Sequence, residues 1–155
     1  MIKLVLTDVD GCLTDCSVMY TPSGEKIKKF NMYDGMGVSI LRSENIKSGI
    51  ISSDNSQATL KRAEDLKMDY IYIGKKIKID VLYEIIEKEG ISFDEIAYMG
   101  DDIQDIEVLK KVGFSAAPVN AVESVKEIVN YVTKKQGGLG AYREFVEYIV
   151  RMEEK

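Results

Sequence analysis

Five aspartates and one lysine carry most of the chemistry this sequence can offer. Asp8 and Asp10 stand two residues apart in Asp8-Val9-Asp10-Gly11-Cys12-Leu13-Thr14. Carboxylates that close repel each other, and they persist together when a cation lies between them or when one holds a proton. Gly11 lets the intervening backbone turn its N–H groups inward as an anion cradle. The combination suits a metal ion with an acid/base pair, and an Asp-rich turn closing a strand is its plainer reading. A second cluster, Gly100-Asp101-Asp102-Ile103-Gln104-Asp105, adds hard oxygen donors of the kind Mg2+ accepts beside water and substrate phosphate. Alone, Asp102 and Asp105 would serve as helix-start carboxylates satisfying the macrodipole. Lys78 offers a cation able to screen a phosphoryl group and a nucleophilic carboxylate, or else an exposed lysine opening a helix. Ser52 and Ser53 end an apolar run where a hydroxyl could reach a phosphate oxygen, although serine is also common in turns.

The remaining composition narrows the chemistry. The chain has no His, so no Ser-His or Cys-His mechanism can be built. Cys12 and Cys16, the only cysteines, cannot complete a four-ligand zinc site, and two free thiols are expected rather than a disulfide. Acid–base work falls to carboxylates, Lys or Tyr. A net charge of −5 argues against a nucleic-acid partner, which would demand clustered Lys and Arg. The small basic groups Lys26-Ile27-Lys28-Lys29 and Lys75-Lys76-Ile77-Lys78 read as solvated faces. No apolar run approaches the roughly 20 residues of a membrane span, and Met1 to Leu6 lacks the pattern of a signal peptide. A cytoplasmic protein with no membrane partner is expected.

Positioning these residues requires strands that end where the acids begin. Ile2–Thr7, Ser48–Ser52, Tyr70–Ile73, Ile96–Met99 and Phe114–Ala117 read as strands, several of them short β-branched runs of the buried kind. Helices are expected over 35–43, 56–66, 78–89, 103–112 and 121–129, with a last one containing Phe145, Ile149 and Met152. Ser17–Tyr20 and Lys26–Phe30 flank the turn Thr21-Pro22-Ser23-Gly24 as a hairpin. The alternation predicts an α/β, Rossmann-like, doubly wound parallel sheet with helices on both faces and a protruding hairpin after the first strand. In such sheets functional groups gather beyond the carboxyl ends of the strands, where both acidic clusters lie. At 155 residues one domain over 1–155 is expected, with the hairpin at about 16–31 and a flexible Gly-rich link at 137–140 before the last helix.

The first motif resembles the DxDGxxT signature of the haloacid dehalogenase superfamily of phosphatases, and Gly100–Asp105 resembles its GDDxxD motif. Lys78 falls where that family keeps a lysine. Phe30-Asn31 with Asp34-Gly35, Arg62–Leu66 and Gly137–Glu144 are similar to its small, capless sugar-acid phosphatases. The resemblance implies Asp8 as nucleophile, Asp10 as general acid and base, and Lys78 as the neutralising cation. It implies Mg2+ held by Asp8, Asp101 and the main-chain carbonyl of Asp10, with Asp102 and Asp105 as outer carboxylates, Asp102 orienting Lys78 or metal-bound water. Gly11, Ser52, Ser53, Asp54 and Arg62 are then expected around the substrate, and the resemblance implies a mobile C-terminal tail at about 136–155 that brings Arg143 or Arg62 near the substrate in a neighbouring site. It also implies a homotetramer in which neighbouring subunits roof the site. The substrate implied is a phosphorylated ulosonic acid, eight-carbon 3-deoxy-manno-octulosonate 8-phosphate in first place and a nine-carbon 9-phosphate as alternative. Ser52-Ser53-Asp54 departs from the family's usual Thr-Gly-Arg, and the acid at 54 is what keeps the nine-carbon reading open. Two readings from other classes are a non-catalytic oligomerisation module, against which the retained acids speak, and a receiver-type phospho-acceptor domain, which would lack Asp10.

Overall fold

The computed structural model describes residues 1–154. Six parallel strands form one sheet in the order β5-β4-β1-β6-β7-β8. They are β1 (Leu4–Thr7), β4 (Lys47–Ile51), β5 (Tyr70–Tyr72), β6 (Ile96–Met99), β7 (Phe114–Ala117) and β8 (Tyr131–Val132). A separate antiparallel hairpin, β2 (Met19–Tyr20) with β3 (Lys26–Ile27), leaves the sheet directly after β1. The helices are α1 (Met32–Ser43), α2 (Gln57–Asp65), α3 (Lys78–Glu89), α4 (Ile106–Leu109), α5 (Glu123–Lys126) and α6 (Ala141–Glu153), with 3-10 turns at Phe93–Glu95 and Ile103–Asp105. No cap domain is present among the described residues.

Strand alternation sorts the interior into two cores, one on each face of the sheet. Val5, Ala97 and Met99 point to α1, α2 and α6, where Val38, Leu41, Ala63, Phe145, Val146 and Ile149 are buried. Leu4, Leu6, Ile96 and Tyr98 point to the opposite face, covered by Ile79, Leu82 and Ile85 of α3 and by Val108 and Val125. The expected doubly wound fold is therefore present. The chain runs outward from β1 through β4 and β5, then returns to lay β6 on the other side of β1. That reversal creates a switch point between β1 and β6, whose last residues Thr7 and Met99 are in register. The residues following both strands, Asp8 and Gly100, consequently emerge side by side.

Local differences from expectation have local causes. Helix α1 starts at Met32 because the Asn31 side chain accepts from the Tyr33 amide at 2.9 Å, capping it three residues early. The helix expected over 103–112 splits, since Asp105 folds back to accept from the amides of Asp101 and Asp102 and tightens the first turn to 3-10 geometry. Ser56 precedes α2 without a side-chain cap. Of the stretch expected as a mobile tail, residues 136–154 pack on their own chain, burying Tyr142, Phe145, Val146 and Ile149; Lys155 lies outside the described residues. Its glycines touch the loop after β1 closely. A Cβ on Gly137 would stand 1.9 Å from the Gly11 carbonyl oxygen, and one on Gly138 would stand 2.7 Å from the Asp15 nitrogen.

Candidate active site

The Asp8 amide donates to the Met99 carbonyl at 2.9 Å, which ties the ends of β1 and β6 together. Beyond it the chain turns tightly, with the amides of Cys12, Leu13 and Thr14 all donating to the Val9 carbonyl. Gly11 adopts φ +90°, and a Cβ there would lie 1.9 Å from Asp101 Oδ2, so only glycine lets the first loop approach the second cluster. Thr14 Oγ1 accepts from the Gly11 and Cys16 amides at 3.3 and 3.2 Å and closes the turn.

Asp8, Asp101 and Asp105 converge, with a carboxylate oxygen of each within 4.8 Å of the others. Lys78, at the first position of α3, reaches into this group and is buried, not the exposed helix-start residue its position allowed. Its ammonium lies 2.9 Å from Asp8 Oδ1 and 2.8 Å from Asp105 Oδ1. Asp105 is fully engaged: Oδ1 also accepts from the Tyr98 hydroxyl at 2.7 Å, and Oδ2 accepts the amides of Asp101 and Asp102. By contrast Asp8 Oδ2 and Asp101 Oδ1 are buried with no hydrogen-bond partner. Asp102, expected to orient Lys78 or metal-bound water, faces solvent and caps the 3-10 turn by accepting from the Ile103 amide at 2.7 Å. Asp105 does the orienting, because the tight turn swings its side chain inward and Asp102's outward.

Burial first, then the Asp105 charge, pushes Asp8 up to about 6 despite the opposing pull of Lys78. Burial and the neighbouring Asp8 push Asp101 up to about 8. Lys78 is raised: burial works against its charge, but Asp8 and Asp105 outweigh it. The cluster thus holds more negative charge than Lys78 balances, and it leaves two buried carboxylate oxygens without a partner. Oxygen donors with that deficit fit a hard divalent cation such as Mg2+, and Asp8 and Asp101 are the groups free to hold it.

A test follows from the sign of these shifts. In metal-free protein the folded state keeps protons on Asp8 and Asp101 at pH values where the unfolded chain has lost them. Stability is therefore fully present below about pH 4 and drains away as pH rises through about 6 and then 8. A cation that binds the ionised carboxylates reverses this. Millimolar Mg2+ is expected to raise the melting temperature by several degrees more at pH 8 than at pH 5.5 in a thermal scan; a pH-independent gain would contradict this reading.

The remaining expected residues spread around the cluster. Ser52 is buried at the end of β4, its amide bonded to the Tyr72 carbonyl at 2.8 Å. Ser53 reaches Gln104 Oε1 at 3.3 Å. Asp54 does not stand free to meet a sugar: Lys26 takes Oδ1 and Lys28 takes Oδ2, each at 2.7 Å. Arg62 is not gathered with the carboxylates; it donates to the Asn31 carbonyl at 3.2 Å and stacks over Phe30. Arg143 pairs with Glu147 one helical turn on, at 2.6 Å. Cys12 and Cys16 are free thiols, as expected.

Two contributors escaped the sequence reading. Asn120 bridges the first loop and the glycine segment, donating to the Gly11 carbonyl at 3.1 Å and accepting from the Gly137 amide at 2.7 Å. Lys28, read as part of a solvated face, is a half-buried residue whose side chain is covered where it meets the partly exposed Asp10 and Asp54. The alternation Lys26-Ile27-Lys28 on a returning strand was the available signal, since it puts both lysines on one side.

The fold and the cluster define an open α/β protein with carboxylates and a buried lysine gathered at the switch point of its sheet, a setting for a divalent cation and an anionic substrate. The sequence profile of the haloacid dehalogenase-like hydrolases matches residues 22–143. The chain is 34% identical over 154 residues to the 3-deoxy-D-manno-octulosonate 8-phosphate phosphatase of Haemophilus influenzae, covering 99% of this chain and 86% of that one. It is 33% identical to the Escherichia coli K12 enzyme of the same name, covering 96% and 79%. The crystal structure of the Moraxella catarrhalis phosphatase of that name, in complex with magnesium, phosphate and KDO, superposes with a TM-score of 0.94 at 35% identity, covering 97% of this chain and 86% of that one. The chain belongs to the haloacid dehalogenase-like hydrolases.

Proposed function

We propose that the protein is a Mg2+-dependent phosphomonoesterase acting on a phosphorylated ulosonic acid, 3-deoxy-D-manno-octulosonate 8-phosphate, through a phosphoryl group carried on Asp8. One observation carries the mechanism: Asp8 is buried with Lys78 on one oxygen and its other oxygen unpartnered beside the equally unpartnered Asp101. Asp8 attacks phosphorus, the P–O bond to the sugar breaks, and Asp10, carrying a proton taken up from solvent, gives it to the departing alkoxide. Asp10 then takes a proton from water, whose oxygen attacks the phosphorus and returns Asp8 and inorganic phosphate. Lys78 offsets the negative charge gathered at the nucleophile, and Asp105 holds its ammonium in place. Ser52 donates its hydroxyl to a phosphoryl oxygen. Mg2+, held by Asp8, Asp101 and the Asp10 carbonyl, supplies the charge neutralisation that lets a carboxylate approach a phosphate dianion.

The substrate assignment draws on the relatives named above and on Asp54. With both its oxygens taken by lysines, Asp54 no longer argues for a nine-carbon acid. A phosphate-release screen over eight- and nine-carbon ulosonate phosphates, with and without Mg2+, is expected to show Mg2+-dependent turnover with the eight-carbon ester preferred. Release from none of them would overturn the assignment, and a nine-carbon preference would overturn the choice of sugar.

The proposed assembly is a homotetramer. Val18, Met19, Tyr20 and Ile27 of the hairpin, with Met32, Tyr33 and Met36 beside it, form exposed apolar surface that neighbouring copies would cover and that would bring them over the site. Light scattering giving a monomer mass would dismiss it. No helix of the described residues is long and apolar enough to cross a membrane. We place the enzyme in the cytoplasm, where a multiply charged substrate that cannot cross a bilayer unaided would be made; its recovery in another cell fraction would correct that.

A further inference from the structure

Lys28 sits where the hairpin returns toward the loop after β1. Its ammonium lies 2.9 and 2.8 Å from the two oxygens of Asp10 and 2.7 Å from Asp54 Oδ2. The Lys28 side chain is 2% exposed and that of Asp10 33%, so the pair is half-buried, with its cation shielded from water, rather than one of the fully solvent-washed pairs that contribute little. An ammonium has three donors, and these three carboxylate oxygens occupy them. Asp54 in turn is held from its other side by Lys26. A chain of ion pairs, Lys26–Asp54–Lys28–Asp10, therefore links the hairpin to the proposed proton donor. Among the described residues, Asp10's other side-chain partner is Thr14 Oγ1 at 3.5 Å, a length at which a hydrogen bond holds little. The rotamer of Asp10 thus depends on Lys28, a residue more than fifteen positions away on a different element.

We propose that Lys28, anchored by Asp54, is a positioning residue that holds the Asp10 carboxylate aimed at the leaving oxygen. The inference rests on the reading of Asp10 as the proton donor, and it extends that reading to the hairpin. Lys28 pairs with the ionised carboxylate; once Asp10 takes up from solvent the proton it will donate, one oxygen carries that proton and the other keeps Lys28, so the acid is placed only as well as that cation is placed. Asp54 accordingly acts at second hand, by keeping Lys28 from swinging to solvent.

The test uses the full chain with Mg2+ and two esters, the sugar-acid phosphate and p-nitrophenyl phosphate. The nitrophenolate leaves without a proton, so kcat/KM for it, which covers the steps through departure of the leaving group, does not need an aimed acid. Lys28→Met is expected to lower kcat/KM for the sugar ester about 10–100-fold, the scale of a misplaced catalytic group, with the loss in kcat. For the nitrophenyl ester it should change kcat/KM by less than about threefold, because the proton-transfer contribution is missing there. Lys28→Arg should restore most of the loss. Asp54→Asn should lower the sugar-ester rate less, and Lys28→Met/Asp54→Asn should be no worse than Lys28→Met, since one acts through the other. Equal losses on both esters would overturn the inference, as would a rise in KM at unchanged kcat, which would mark Lys28 as a substrate contact. If Lys28→Met does not fold, Lys28→Arg and Asp54→Asn on the same two esters decide it. Asp10→Asn separates the two levels. Loss on the sugar ester alone with Asp10→Asn but not with Lys28→Met sinks only the role of Lys28, whereas undiminished sugar-ester turnover by Asp10→Asn sinks the reading beneath it.

Discussion

Asp8→Asn is expected to abolish turnover while making the metal-free protein more stable. An amide cannot attack phosphorus, so the loss should exceed about 10⁴-fold, the scale seen when a nucleophile is removed. The stability effect runs the other way because of the company Asp8 keeps. Burial and Asp105 outweigh Lys78 and leave the Asp8 carboxyl at about 6, so at pH 7.5 without metal the fold holds an ionised group it disfavours. An amide keeps the shape and its oxygen can still accept from the Val9 amide, now at 2.7 Å to Oδ1. Lys78 keeps Asp105 at 2.8 Å and the Tyr98 hydroxyl at 3.4 Å. The gain should be about 1–3 kcal/mol, or a melting temperature about 3–8 °C higher for a domain of this size. Phosphate release and a thermal scan in EDTA check the two halves. Near-normal turnover would end the covalent route, and a lower melting temperature would mean that the Asp8–Lys78 pair outweighs the crowding.

How much of this was legible beforehand depends on whether a feature is written in a local pattern. β6 (Ile96–Met99) and α3 (Lys78–Glu89) match the expected bounds, because each has a sharp edge: a glycine ends the run after Met99, and Gly90 at φ +65° stops the helix. β8 was missed. Two residues, Tyr131–Val132, are too few to display a period, and they pair only because β7 offers an edge. The expected helix over 121–129 shrank to Glu123–Lys126 as the chain turned to make that strand.

The same distinction governs the site. That Asp8 and Asp101 would meet could be read from strand ends in a parallel sheet, since topology alone brings those ends together, whereas Lys78, which opens a helix, was placed with them only by the family resemblance. Which of Asp102 and Asp105 would turn inward could not, because it hangs on whether the first turn is 3-10 or α. Lys28 was hidden more deeply. A run of lysines reads as solvated until the hairpin folds back and buries one of them between Asp10 and Asp54. Arg62 shows the converse: the family resemblance put it near substrate, and in this chain it lies over Phe30 and donates to the Asn31 carbonyl at the start of α1.

Lys78→Met should also remove activity, but with the opposite effect on the fold. Methionine fills the space of the lysine stem, so what disappears is the charge. Three clustered carboxylates, Asp8, Asp101 and Asp105, would then have no cation among them, and the Tyr98 hydroxyl and two amides on Asp105 could not balance them. Removing one partner from a buried ion pair destabilises by about 3–5 kcal/mol, which at this chain length lowers the melting temperature by about 10 °C or more. The deficit should shrink at pH 5, where the crowded carboxyls take up protons, and again on addition of Mg2+. Asp8→Asn introduced into Lys78→Met should recover part of it, because the two sites are in contact and their effects cannot add. Thermal scans of the two single variants and the double variant at pH 5 and pH 8 measure this directly. A Lys78→Met protein as stable as the parent at pH 8 in EDTA would show that the carboxylates shed their repulsion some other way, and would take Lys78 out of the centre of the site.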